Sequence, residues 1–144
     1  MSRVLIVPAD SHVQPALMAD AVAQAAERAG YVSVLVPAVL PPTLPISAYP
    51  PRIAARMAAL AGATRDAMEA LGVRGRVAVV PCRSVAALLH AAGHSDALIL
   101  VGRVGWSVRR AAHGMTAELV IVAAPPARRR APSAPGRPRT VEGL

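Results

Sequence analysis

Arg3-Val4-Leu5-Ile6-Val7-Pro8 is the stretch on which the fold turns. It is short, rich in β-branched residues and apolar at every position between its ends, where a strand with one wet face would alternate. Such a strand hides both faces, as strands of a parallel sheet do between layers of helix. Val32–Val36, Val77–Val80, Ala97–Val101 and Leu119–Val122 repeat the pattern, so five strands are expected.

The intervening segments read as helices. Asp10 or Ser11 is placed to cap the first, in which Val13, Leu17, Val22, Ala25 and Ala26 recur at helical spacing until Gly30. Pro37–Pro51 is proline-rich and is expected to be an irregular surface connection. From Arg52 to Leu71, the residues Ile53, Met57, Leu60, Ala61, Thr64, Met68 and Leu71 form one apolar stripe that Gly72 ends. Ser84 caps a third helix with Val85, Leu88 and Leu89 inward and Gly93 at its close, and Trp106–His113 leaves room for about two turns. Strict alternation of buried strands with helices calls for right-handed crossovers onto a parallel sheet. The expected fold class is therefore α/β, a five-stranded parallel sheet in a three-layer α/β/α doubly wound sandwich. Its ligand crevice would lie beyond the carboxyl ends of the strands, at Pro8–Ser11, Pro81–Ser84 and Gly102–Gly105.

Composition agrees with one domain over residues 1–124. The 144 residues are 54% hydrophobic yet only 2% aromatic, with no Phe, so Ala, Val, Leu and Ile must pack closely. No apolar run approaches the roughly 18 residues of a membrane helix. Every one of the 16 basic residues is Arg, and the net charge is +8. Half of that excess sits in the tail, where Arg128, Arg129, Arg130, Arg137 and Arg139 stand among prolines; residues 125–144 are expected to be a disordered, solvated extension. Such a tail touches nucleic acid only through unspecific electrostatics. The single Cys82 rules out an internal disulfide, and Met1-Ser2-Arg3 opens no signal peptide, so a cytoplasmic location is expected.

From Asp96 through Ala97-Leu98-Ile99-Leu100-Val101 to Gly102-Arg103-Val104-Gly105, an aspartate precedes an apolar strand that ends in Gly-x-x-Gly. With Asp10 and Ser11 following the first strand, this resembles the universal stress protein family, over about residues 3–124. The resemblance implies a Rossmann-like sandwich of the adenine-nucleotide alpha-hydrolase kind and, in the members that bind ATP, a phosphate cradle. Those members continue Gly-x-x-Gly with a nine-residue spacer, another Gly and a Ser or Thr. Here eight residues separate Gly105 from Gly114, and Met115 stands before Thr116. Alternatively, Gly105-Trp106-Ser107 aligns with the final Gly-Ser and the spacer is missing. Either placement damages the phosphate site.

The candidate nucleotide-binding residues are Asp10, Ser11, Gly102, Arg103, Gly105, Gly114 and Thr116, with ATP or AMP as the ligand the resemblance implies. Asp10 either caps the first helix or holds a ribose or adenine edge. Arg103, Arg109 and Arg110 either supply charge to a phosphate or lie on a solvated face. Cys82, beside Arg83 near a helix start, reads as a structural thiol. His90 and His94 stand four apart, but Gly93 between them should end the helix, so no metal is expected. Trp106 is expected to cover the sheet's end or a subunit contact. No nucleophile, base and orienting acid form a set, so no catalytic residue is assigned. Dinucleotide and P-loop signatures are absent, and a phosphoacceptor receiver would need a Lys that the chain lacks. The expected function is a non-catalytic regulatory or interaction module of the stress response, dimerising through its fifth, edge strand. The alternative is an adenine-nucleotide sensor using the crevice between strands 1 and 4.

Overall fold

The computed structural model describes residues 3–45 and 50–123. The elements are β1 (Val4–Pro8), α1 (Pro15–Ala26), β2 (Tyr31–Val39), α2 (Pro51–Ala70), β3 (Arg74–Cys82), α3 (Val85–Ala92), β4 (Ser95–Val101), α4 (Trp106–His113) and β5 (Thr116–Val122). All strands run parallel in the order β3-β2-β1-β4-β5. The tail expected at 125–144 lies outside the described residues, as do residues 46–49. No helix among the described residues is long and apolar enough to cross a membrane.

The uniform apolar reading of β1 holds because each face carries its own core. Val4 and Ile6 join Val32, Val34, Ile99 and Val101 beneath α1 and α2, whereas Leu5 and Val7 join Leu98 and Leu100 beneath α3 and α4. α1 packs Met18, Ala21, Val22 and Ala25, and α2 packs Met57, Leu60, Ala61 and Met68, into the first of these cores. Thr64 is fully buried in α2 with its hydroxyl satisfied, since it donates to Leu60 O at 2.8 Å. Gly62 has nothing within 4 Å of where a Cβ would sit. Gly62→Ala should therefore raise stability by about 0.5–1 kcal/mol, the helix-propensity difference, read from the denaturant midpoint.

Three expectations need correction. α1 starts at Pro15 with Gln14 as its N-cap, so neither Asp10 nor Ser11 caps it; a proline with its fixed φ suits the first helical turn. β2 runs through Pro37 to Val39, where an irregular connection was expected to begin. Its pairing with β1 ends at Ile6 and Val34, so beyond that point the strand has a neighbour on one side only and tolerates a residue without an N–H. β3 also begins earlier than its apolar run, at Arg74, because an edge strand needs no apolar residues where water covers it. Two helix ends follow expectation. Ser84 Oγ accepts the Ala87 amide at 3.1 Å, and Gly93, at φ 81°, turns the chain off α3. His90 thus lies in the last turn of α3 and His94 beyond it, between α3 and β4, and no group of three metal-ligating side chains occurs among the described residues.

Candidate functional site

The order of strands reverses beside β1, with β2 on one side and β4 on the other, and the chain leaves both β1 and β4 there as loops. Asp10 sits at the end of β1 and spends its carboxylate on backbone. Its Oδ1 accepts the His12 amide at 2.7 Å, and its Oδ2 accepts the Arg103 amide at 2.8 Å. The second bond joins segments 93 residues apart. Ala9 N also donates to Val101 O at 2.8 Å, so the carboxyl ends of β1 and β4 are laced together. Gly102 makes this closeness possible. Its φ is +99°, and a Cβ there would lie 2.6 Å from Asp10 Oδ2 and 2.7 Å from Val13 Cγ2. Gly102 N in turn donates to Val122 O at 2.8 Å, which ties the end of β5 to the same loop.

The open space consequently lies elsewhere. Where β1 and β2 part company, a cavity of about 450 Å³ opens between Ala9, Asp10 and Ser11 on one wall and Pro37 and Val39 on the other. Ile53, Arg56 and Met57 of α2 and Val85 of α3 complete it. This cavity lies on the β2 side of β1, whereas the expected crevice lay on its β4 side. Of the seven candidate residues, the fold brings together Asp10, Gly102 and Arg103, sets Ser11 on the cavity wall, and places Gly105 as the N-cap of α4. Gly114 and Thr116 do not join them. Thr116 pairs with Ser95 at the amino end of β4, six residues from Val101, or about 20 Å along the strand. Thr116 Oγ1 is engaged locally, donating to Glu118 O at 3.0 Å.

The other singled-out groups are accounted for by packing. Asp96 Oδ2 accepts the Arg3 amide at 2.7 Å and so fixes the register of β1 on β4 at the amino edge, far from the crevice. Cys82 is buried, and desolvation pushes its thiol pKa up, against a smaller lowering by a backbone hydrogen bond at Ser84. A thiol held in its protonated form is a poor nucleophile. Arg83, which the sequence placed beside it, turns away to donate to the carbonyls of Pro41 (2.8 Å) and Leu44, pinning the chain after β2. Trp106 is 73% exposed, so it does not cover the sheet's end. Arg56, Pro37, Val39, Ile53 and Met57 were missed as cavity residues. The available signal was the apolar run that continues past Pro37 to Leu40, which is 1% exposed.

Comparison with solved structures relates this arrangement to a known one. The universal stress protein from Archaeoglobus fulgidus superimposes with a TM-score of 0.58, at 11% sequence identity, over 85% of this chain and 93% of that one. The chain has the universal stress protein fold. No protein-family model matches the sequence, and no curated protein matches it. At that identity the likeness shows the universal stress protein fold, and the site must be read from its own residues.

Proposed function

We propose that the chain is a non-catalytic regulatory or interaction module of the universal stress protein type, resident in the cytoplasm and acting in the stress response. The observation that carries this reading is Asp10 accepting the Arg103 amide at 2.8 Å. A polyphosphate is held at such a loop by several converging N–H donors. Here the loop gives a donor to the protein's own carboxylate, and that carboxylate repels an incoming anion across a few ångströms. The residues present therefore do not fit a polyphosphate cradle. The thiol and hydroxyl at the same sheet edge serve the fold: Cys82 is buried with its pKa raised by desolvation, and the Ser84 hydroxyl accepts the Ala87 amide. Calorimetric titration with ATP, ADP and AMP up to millimolar concentration tests the reading; silence is the expected result, and micromolar affinity would replace the module with a sensor.

Self-association through β5 belongs to the same reading. β3 and β5 are the two edges of the sheet. β3 is guarded by Arg74 and Arg76, and Arg65 Nη2 covers the Val77 carbonyl at 3.1 Å. On β5, past the exposed Glu118, the apolar run Leu119, Val120 and Ile121 is only partly buried, which leaves that stretch of the edge suited to pairing with a second copy. Sedimentation should show dimer at high micromolar concentration; monomer alone would remove this part.

A second reading, the adenine-nucleotide sensor, draws on the 450 Å³ cavity, whose size suits a small organic ligand. Its apolar walls of Pro37, Val39, Ile53, Met57 and Val85 fit a planar heterocycle, with Asp10, Ser11 and Arg56 as the polar groups. Binding of AMP or adenosine as tight as that of ATP is the mark of this reading, since only the heterocycle would then contribute.

A further inference from the structure

α4 presents an outward stripe that is both aromatic and basic. Trp106, Arg109, Arg110 and His113 stand at i, i+3, i+4 and i+7, the spacing that gathers residues onto one helical face. All four are exposed, while Ala111 and Ala112 on the opposite face are buried against β5 and α3. Trp106 is 73% exposed, which leaves a large aromatic ring open to a partner. Its ring is held by the Arg110 guanidinium, 5.2 Å from the centroid, which fixes the ring outward beside a cation. α4 contains no acidic residue, and the exposed Arg103 precedes it by three positions. Helix-end electrostatics accounts for Arg110 and His113 in the last turn. It does not account for Arg109, nor for the exposed Trp106.

The chain also leaves the sheet at this corner. Val122 O is bonded to Gly102 N, one residue before Arg103, so β5 ends beside the loop that leads into α4. An exposed aromatic among clustered guanidinium groups is the chemistry that binds a flexible polyanion with accessible π-faces: the cations follow its phosphates and the ring stacks on a base. We propose that the outer face of α4, with Trp106 as stacking platform and Arg103, Arg109 and Arg110 as phosphate contacts, binds single-stranded nucleic acid without sequence preference. Double-stranded nucleic acid, whose bases are already stacked on each other, gives Trp106 nothing to stack on.

Trp106 is the only tryptophan, so its fluorescence reports this face alone. The experiment is titration of the full chain with an oligothymidylate of about 20 nucleotides, and with a duplex of equal length, at low and at moderate salt. Saturable quenching by the single strand is expected, with weaker binding of the duplex. Trp106→Ala, which removes an exposed side chain and should leave the melting temperature unchanged, is expected to lower affinity about 10-fold, read from the fluorescence anisotropy of a dye-labelled oligonucleotide because this variant has no tryptophan to quench. The double variant Arg109→Ala with Arg110→Ala should flatten the slope of log affinity against log salt by about 1.4, two phosphate contacts' worth. Retention of the oligonucleotide without quenching, equal affinity in Trp106→Ala, equal quenching by the duplex, or no binding at all would each overturn the assignment. The first of these would assign retention to the terminal arginines.

Discussion

Gly102→Ala should lower the stability of the domain by about 3 kcal/mol and its melting temperature by roughly 10 °C. Two effects add. At φ +99° an L side chain is strained, at a cost of about 1–3 kcal/mol before any contact is made. The new Cβ, 2.6 Å from Asp10 Oδ2 and 2.7 Å from Val13 Cγ2, then forces the carboxylate out of the position from which it accepts two amides. Those bonds are partly exposed, so their loss contributes at the low end of the range for bonds to a charged group, about 1–2 kcal/mol. Thermal unfolding followed by circular dichroism measures the sum. Amide hydrogen exchange separates the parts, because the Arg103 and His12 amides should lose protection well before the sheet does.

Gly75→Ala is expected to act at the opposite end of the molecule and by a different route. A Cβ at Gly75 would fall 1.9 Å from the carbonyl oxygen of Val32, its register partner on β2, and 2.8 Å from Met68 Cε of α2. The methionine tip can move; the neighbouring strand's backbone, fixed between β1 and β3, cannot. β3 is an edge strand, however, so its first residues can swing outward, which keeps the cost at about 1–3 kcal/mol. The expected result is a lowered denaturant midpoint together with faster exchange of the amides at Arg74–Val77, while β1 and β4 keep their protection. A domain that melted as one unit without local loosening would show that β3 holds more rigidly than its edge position implies.

These two glycines also mark how far the sequence could be read. The sheet was legible because burial on both faces leaves a continuous apolar run, as in Val4–Val7 and Ala97–Val101, and because single glycines and Ser84 punctuate the helices that α/β alternation requires. The start of β3 was not, since Arg74, Gly75 and Arg76 at an exposed edge carry no apolar signal and Gly75 is there for a backbone approach that only the partner strand defines. Pro37 hid the last third of β2, because a proline argues against a central strand unless one neighbour has already departed, and that departure is a property of β1. The grouping of Asp10 with Gly102 and Arg103 followed from the expected sheet. That Asp10 faces inward and takes the Arg103 amide did not, because the bond spans 93 residues and depends on the left-handed turn at Gly102. Gly114 and Thr116 were selected by motif spacing, and the immediate entry into α4 after Gly105 carries them to the far end of β4 instead.

The account rests on the carboxylate of Asp10 holding the amide that a phosphate would need. The most direct measurement is the amide spectrum of the isotopically labelled full chain while magnesium ATP is added to several millimolar. None of the Arg103, Gly105 and Trp106 resonances should move saturably at micromolar ATP, with Arg103 protected from exchange throughout. Saturable shifts of those three amides at micromolar ATP would show the donors turning to phosphate, and would contradict the account at its base.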